Sequence, residues 1–159
     1  MFRIGFGYDV HQLVEGREFW LGGIKLEHSK GSLGHSDGDA LIHAVCDALL
    51  GAANLHDIGY HFPDTSSEFK GIDSKILLKK VMNLLNENNY SLVNIDTTIC
   101  LQRPKVKDSI EKMKKALADT ISVSEDFISI KATTTEKLGF VGREEGVSVY
   151  AVVLIQKTS

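Results

Sequence analysis

Residues 2–11, FRIGFGYDVH, are the stretch that decides the fold of this 159-residue chain. Apolar side chains alternate there with glycine or polar residues, which is the period-two pattern of a half-buried β-strand. The apolar set is Phe2, Ile4, Phe6, Tyr8 and Val10. The opposite face carries Asp9 and His11, which therefore project together. Gly5 and Gly7 lie on that face too and are predicted to leave space for a ligand near the backbone.

Strand and helix patterns alternate along the rest of the chain. Apolar residues at 18–21 and 24–26 flank a glycine pair and predict a hairpin, and glycines and serines between 29 and 36 predict a mobile loop. Three amphipathic segments predict helices. One is capped by Ser36 or Asp37 and runs to about Ala53, one follows Asp73 or Ser74, and one contains Ile110, Met113 and Leu117. Further strands are predicted at 92–101, 127–132 and 147–155.

The last predicted strand, residues 147–155, is apolar on both faces from Tyr150 onward, so we expect it to be buried on both sides. The order of the elements favours an α+β sandwich in which helices cover one face of a sheet. At this length the chain is predicted to form a single domain, residues 1–159. The uncovered face of its sheet is a candidate subunit contact.

The composition argues against several classes of protein. A formal net charge of −3 is unlike that of a nucleic-acid-binding surface. Since no apolar stretch approaches membrane-spanning length and no signal-peptide pattern is present, we expect no membrane partner and a cytoplasmic location. Cys46 and Cys100 lie in apolar stretches and do not indicate a disulfide framework. Dinucleotide, phosphate-loop and serine-nucleophile motifs are absent from the sequence.

A metal site is indicated by residues on two predicted elements. Asp9 and His11 share a strand face, and His43 lies on the first predicted helix between Asp39 and Asp47, each four residues away. One carboxylate and two imidazoles form the ligand set of a zinc ion that keeps its fourth position open for substrate. Asp47 or Asp39 is expected to orient the helical histidine. The alternative is that both polar stripes are solvated surface.

Residues 133–136 support two interpretations. Thr133 and Glu136 fit a capping box, which predicts the start of a short helix. The same helix start would offer hydroxyl and N–H groups to a phosphate, and Glu136 could hold a divalent ion that bridges phosphate oxygens. Both interpretations can hold through different residues.

Five separated motifs follow one another along the chain. They are Gly5-x-Gly7-x-Asp9-x-His11, residues 33–39 (LGHSDGD), His43, residues 57–59 with 62–64 (DIG and FPD), and residues 132–140 with Gly142 and Arg143. Together they resemble the 2-C-methyl-D-erythritol 2,4-cyclodiphosphate synthase family over nearly the whole chain. Chance agreement of five motifs in order is far less plausible than a single match.

The resemblance implies an architecture and a metal content. It implies a ferredoxin-like α+β sandwich, with one mostly antiparallel sheet covered by helices on one face and packed in a homotrimer on the other. Active sites would lie between subunits. Zn²⁺ or a similar divalent ion would bind Asp9, His11 and His43, and Mg²⁺ or Mn²⁺ would bind Glu136 and bridge the substrate diphosphate.

The resemblance also implies which residues contact a cytidine diphosphate substrate. Contacts with phosphates and the metal-bound end are implied for Asp9, His11, His35, Ser36, Thr133, Thr134, Thr135 and Glu136. Contacts with the erythritol portion are implied for Asp57, Gly59 and Asp64, and substrate contacts also for Ile58 and Phe62. Contacts with cytosine are implied for Leu101, Pro104, Lys105 and Val106. The implied catalytic set is Thr134, Thr135, Glu136 and Asp47. Phe140 and Arg143 resemble residues of a central trimer channel that can hold an isoprenoid diphosphate.

The implied reaction is an intramolecular cyclisation. The 2-phosphate of 4-diphosphocytidyl-2-C-methyl-D-erythritol 2-phosphate would attack its own β-phosphorus and expel CMP, with two ions neutralising the crowded oxygens. Two alternatives stay open: a zinc phosphohydrolase in which water attacks instead, and a non-enzymatic, metal-stabilised trimer that binds isoprenoid diphosphates. An open fourth metal position would favour catalysis.

Overall fold

The computed structural model describes residues 1–158, which contain seven strands and five α-helices. The strands are β1 (Phe2–Glu15), β2 (Phe19–Leu21), β3 (Ile24–Leu26), β4 (Lys30–Leu33), β5 (Tyr90–Cys100), β6 (Ile128–Thr133) and β7 (Gly146–Lys157). The helices are α1 (Ala40–Ala53), α2 (Ile58–His61), α3 (Ser74–Glu87), α4 (Ile110–Ile121) and α5 (Gly139–Gly142). Within residues 1–158 no helix is both long enough and apolar enough to cross a membrane.

Five strands form one mixed sheet in the order β4-β1-β7-β5-β6. β1 pairs antiparallel with β4 and β7, β5 pairs antiparallel with β7, and β5 and β6 run parallel. The predicted α+β class with a mostly antiparallel sheet is confirmed, as is the hairpin, which is formed by β2 and β3. Because β4 is a paired edge strand, the prediction that residues 29–36 are all mobile loop is wrong.

Helix α1 lies against the glycine face of β1. Gly5 and Gly7 are buried, and an added Cβ atom at these positions would overlap the carbonyl oxygens of Ala48 and Ala44, respectively. Glycine is required because any side chain would hold the helix away from the strand. The prediction that the two glycines leave space for a ligand is wrong, because the helix backbone fills that space.

The opposite side of the sheet, here called the outer face, is apolar and exposed. It consists of Phe2, Ile4, Phe6, Tyr8, Val10, Tyr150 and Val152. The β1 residues on this face are between 41% and 72% exposed. β1 is half-buried as predicted, but the buried face is the one that carries Gly5 and Gly7. Val149 and Val153 of β7 are buried, whereas Tyr150 and Val152 are not. The prediction that β7 is buried on both sides is therefore wrong for a single chain.

Asp39, and neither Ser36 nor Asp37, caps α1. Its carboxylate accepts a first-turn N–H of the helix at 3.0 Å and the N–H groups of Gly22 and Gly23 at 2.9 and 2.7 Å. Burial raises the pKa of this fully buried carboxyl, and the backbone N–H groups counteract the rise. Asp39 therefore joins the β2–β3 hairpin to α1, and the prediction that it belongs to a polar helix stripe is wrong.

The predicted helix start at residues 133–136 is absent. Thr133 is the last residue of β6, and Glu136 and Lys137 have left-handed backbone conformations with φ of 53° and 64°. The Thr134 hydroxyl accepts the N–H of Glu136 at 3.3 Å, which closes a local turn instead. The capping-box prediction is wrong because these left-handed residues cannot continue into a helix, and α5 begins only at Gly139.

Candidate metal centre and substrate cleft

Three side chains predicted as metal ligands converge where β1 meets α1. Oδ2 of Asp9 lies 2.8 Å from Nε2 of His11 and 3.2 Å from Nδ1 of His43, and these two nitrogens are 3.2 Å apart. All three residues are partly buried. Strand alternation places Asp9 and His11 on one face, and the close approach of α1 brings His43 to them.

In each of the two histidines, one ring nitrogen contacts a group outside the cluster, and the other ring nitrogen therefore faces the cluster. Nδ1 of His11 lies 2.9 Å from the carbonyl oxygen of Leu33. A carbonyl can only accept, so Nδ1 carries a proton, and Nε2 is the nitrogen that faces Asp9. The other ring nitrogen of His43, Nε2, lies 2.9 Å from the hydroxyl oxygen of Ser74 and 3.1 Å from that of Ser36.

Asp47 contacts the following loop. Its Oδ1 accepts the N–H of Ile58 at 2.7 Å, which fixes the start of α2, and burial raises the pKa of this carboxyl. The prediction that Asp47 or Asp39 orients His43 is wrong, because serine hydroxyls make the contacts with its Nε2. A catalytic role for Asp47 stays a prediction.

The cluster has the charge and lone pairs of a metal site. Burial acts to raise the pKa of Asp9, but hydrogen bonds from His11 and His43 outweigh it and lower the pKa to about 2. Burial acts to lower the pKa of His11, and its contact with Asp9 raises that pKa above the ordinary value. Acceptor atoms that converge in this way repel one another unless a cation or proton lies between them. One carboxylate oxygen and two imidazole nitrogens therefore fit a divalent metal ion.

A cleft of about 540 Å³ opens beside the cluster. His11 and His43 line one side of it. The other predicted substrate residues that it brings together are His35, Ser36, Ile58, Gly59, Phe62 and Asp64. The lining also includes Gly34, Pro63, Thr65, Phe69 and Leu77, which we had not predicted as site residues. Gly34 and Pro63 lie within the quoted motifs, whereas Leu77 belongs to a helical apolar stripe that carried no sign of a cleft.

Asp57 is not part of the cleft lining. Its Oδ1 accepts the N–H of Tyr60 at 2.8 Å and caps α2, whose first residues, Ile58 and Gly59, do line the cleft. Asp57 thus shapes this wall of the cleft through the backbone.

A second cavity, of about 230 Å³, contains the predicted cytosine-binding residues. It is lined by Leu101, Pro104, Lys105, Val106, Thr133 and Thr134, together with Lys107, Ile110 and Ala132, which we had not predicted. The two cavities share no lining residue, and Thr135 and Glu136 line neither of them. The Thr135 hydroxyl donates to the carbonyl of Leu138 at 2.7 Å, and Glu136 is exposed. A single chain therefore holds the predicted substrate site as two separate halves.

The two predicted channel residues lie outside both cavities. Arg143 is exposed, and its Nε donates to Glu145 at 2.8 Å, a contact that raises the pKa of the guanidinium. The ring of Phe140 lies against Gly146 at the start of β7. These contacts leave a channel role for both residues a prediction.

Named relatives extend over the whole chain. The YgbB family matches residues 2–156. The chain belongs to the YgbB family. The 2-C-methyl-D-erythritol 2,4-cyclodiphosphate synthase of Bacteroides thetaiotaomicron is 66% identical over 155 residues, which cover 98% of each chain. The protein of the same name from Porphyromonas gingivalis is 62% identical over 154 residues, 97% of this chain and 95% of the relative.

Solved structures resemble the YgbB chain over its full length. The bifunctional IspDF from Campylobacter jejuni matches with a TM-score of 0.96 and 42% identity, covering 100% of this chain and 43% of that one. A CDP complex of IspF from Plasmodium falciparum matches with a TM-score of 0.87 and 32% identity, covering 99% and 97%. The family resemblance seen in the five motifs is confirmed.

Proposed function

We propose that this YgbB-family chain is a phosphorus–oxygen lyase of the non-mevalonate isoprenoid pathway. It cyclises 4-diphosphocytidyl-2-C-methyl-D-erythritol 2-phosphate to 2-C-methyl-D-erythritol 2,4-cyclodiphosphate and releases CMP. The cluster of Asp9, His11 and His43 carries this proposal, because it lies beside a cleft of about 540 Å³. The chain is also 66% identical to a synthase named for that product.

Two sets of residues would hold the metal ions. Asp9, His11 and His43 would bind Zn²⁺ or a similar divalent ion, and Glu136 would bind Mg²⁺ or Mn²⁺ at the substrate diphosphate. Bound ions of this kind neutralise phosphate oxygens, which lowers the repulsion that opposes ring closure. Three protein ligands beside an open cleft leave a coordination position free, which supports a catalytic over a purely structural ion.

The chain's own residues position the substrate. His35 and Ser36 line the cleft from the loop after β4 and would hold phosphate oxygens. Gly59 and Asp64 would lie against the erythritol portion. With its phosphates held together, the 2-phosphate attacks the β-phosphorus in line and CMP leaves, so no protein nucleophile is required.

The active site is proposed to be shared between neighbours in a homotrimer. The separation of the two cavities in one chain supports sharing, and the exposed outer face supports a protein contact because a contiguous apolar patch marks an interaction surface. One subunit would supply the metal cluster and cleft, and its neighbour would supply Lys105, Thr134 and Glu136. Phe140 and Arg143 would border a central channel for an isoprenoid diphosphate. A cytoplasmic location stays a prediction.

The products of the reaction test the chemistry. Purified protein is incubated with the cytidine substrate and Mg²⁺, CMP is quantified and the product is followed by phosphorus NMR. Equal amounts of CMP and a cyclic diphosphate are expected. Addition of water to the product would identify a phosphohydrolase, and tight binding without turnover would identify a metal-stabilised binding protein.

Mixed trimers test the sharing of the site. His43→Ala and Glu136→Ala proteins should each be inactive, and trimers assembled from both should recover part of the activity, because some interfaces pair two intact halves. Mock mixing of each variant with itself is the control. If verified mixed trimers recover no activity, each chain builds its site alone.

A further inference from the structure

Ser74 contacts His43, one of the three residues of the candidate metal cluster. It is the first residue of α3, is fully buried and places its Oγ 2.9 Å from Nε2 of His43. The Nδ1 atom of the same imidazole faces Asp9 and His11. Ser74 therefore contacts a proposed metal ligand through the ring nitrogen that does not face Asp9 and His11.

Asp37 fixes the direction of the hydrogen bond between Ser74 and His43. Its Oδ2 accepts the N–H of Ser74 at 2.9 Å, and its Oδ1 accepts the Ser74 hydroxyl as well as the N–H of Asp39 at 3.1 Å. An ionised carboxylate can only accept, so the hydroxyl proton of Ser74 points at Asp37. The Ser74 oxygen then offers His43 only a lone pair.

This arrangement determines which nitrogen of His43 carries the proton. Nε2 must donate to Ser74, so in the neutral imidazole Nδ1 holds the lone pair and directs it at the cluster. Ser36 does not impose the same choice, although its hydroxyl lies 3.1 Å from the same Nε2. That hydroxyl accepts the N–H of Gly38 at 3.2 Å, and its own proton remains free to turn toward the imidazole or away from it.

We propose that Ser74 and Asp37 are positioning residues that hold His43 in the tautomer and orientation required for metal binding through Nδ1. The proposal rests on the proposed metal-dependent function. It also gives a physical reason for the place of α3 in the fold, since the first residue of this helix supports a ligand carried by α1. Asp37 follows His35 and Ser36 in the chain, so the same pair joins the loop lining the cleft to the metal ligand.

Zinc affinity of Ser74→Ala is the first test. The substitution removes the hydroxyl and keeps the cap of α3, because Asp73 accepts the N–H of Lys75 at 2.9 Å. Loss of a partner behind a metal-binding histidine weakens binding about 10- to 100-fold, and Ser36 remains as an acceptor, so we expect about tenfold weaker Zn²⁺ binding in competition with a chromophoric chelator. Ser32→Ala is the matched control, since this buried hydroxyl has no partner within residues 1–158.

The histidine tautomer is the second readout, and a loss of stability alone would not change it. Nitrogen NMR of metal-free, histidine-labelled protein at mildly alkaline pH should show His43 protonated on Nε2 in the wild type and a mixture of tautomers in Ser74→Ala. If Ser74→Ala does not fold, Asp37→Asn tests the same bond, because the amide can donate to Ser74 and release its proton toward His43. Asp37→Asn should show the same mixture of His43 tautomers and the same weaker binding of Zn²⁺.

The outcomes separate this proposal from the proposed function. Unchanged zinc affinity and an unchanged tautomer in the variants, with His43→Ala unable to bind zinc, would overturn the positioning role alone. A wild-type protein that binds zinc no more tightly than His43→Ala would overturn the metal-dependent function as well.

Discussion

The two faces of β1 follow opposite rules. On the inner face Gly5 and Gly7 let α1 contact the strand backbone, and Asp9 and His11 contribute to the metal cluster. On the outer face every second residue is a large apolar side chain, yet those side chains are exposed in the single chain. A face is thus buried only where another element of the chain packs on it, and the exposed apolar face is the subunit contact of the proposed trimer.

A change of Gly7 to Val should have the largest effect, because it places a branched side chain where α1 contacts the strand. Overlap with the Ala44 carbonyl must displace the helix, and we expect a loss of at least about 4 kcal/mol in the free energy of unfolding, measured by urea denaturation. Gly51→Ala is the control: nothing lies near that position in α1, so the variant should gain about 0.5–1 kcal/mol. A wild-type urea midpoint for Gly7→Val would show that the helix does not pack this closely.

His43→Ala should separate the function of the inner face from its structural role. CMP release should fall by more than about 100-fold, the upper limit for residues that only support a metal ligand, and bound zinc should fall in parallel. The fold should persist, because the side chain lies at the edge of the cleft and not among the apolar core residues. Metal analysis, circular dichroism and product assays check these outcomes. Full activity in metal-depleted His43→Ala protein would contradict the assignment.

Phe6→Glu should disturb the outer face alone. A charge on this exposed residue should convert the proposed trimer to monomers in sedimentation experiments and abolish the activity of the proposed shared site, while the stability of the monomer changes by no more than about 0.5 kcal/mol. Ile76→Glu is the matched control, because Ile76 is also exposed and apolar but lies on α3. A Phe6→Glu protein that stays trimeric and active would remove the outer face as the subunit contact.

Asp96→Asn should give the smallest effect. Asp96 lies opposite Val152 on the outer side of the sheet and pairs with Lys131, whose hydrogen bond lowers the pKa of this carboxyl. Since both side chains are about half exposed to solvent, we expect the variant to lose less than about 0.5 kcal/mol. A carboxyl with a lowered native pKa stabilises the fold above its unfolded pKa and loses that contribution as the pH falls. The difference from wild type should therefore shrink below about pH 4; a difference that grows there would contradict this pairing.

Features set by neighbours in sequence were predicted, and features set by distant partners were not. The Gly22-Gly23 turn, the apolar stripe of α1 and the shared side of Asp9 and His11 follow from local periodicity, and the metal cluster is confirmed in its geometry. The contact of His43 with Ser74 spans 31 residues and depends on how α3 packs, which no local pattern reveals.

The segment after β6 shows a second reason why local sequence patterns fail to predict structure. A threonine followed three residues later by a glutamate fits both a capping box and a tight turn. Pairing of β6 with β5 extends to Thr133 opposite Cys100, so the chain is still extended where the helix was predicted to start. Tertiary pairing overrides the local pattern here.

The glycines of β1 also determine the distance between the proposed metal ligands on β1 and the one on α1. Packed helices usually lie about 8–10 Å apart because side chains fill the space between their axes, and side chains separate a helix from a strand in the same way. Gly7 lies two residues before Asp9, and Ala44, whose carbonyl it contacts, directly follows His43. If side chains held α1 at the usual distance, the imidazole could not bring Nδ1 to within 3.2 Å of the Asp9 carboxylate. Gly7 therefore sets the distance between Asp9 and His43, the proposed metal ligands, although it contributes no ligand atom itself.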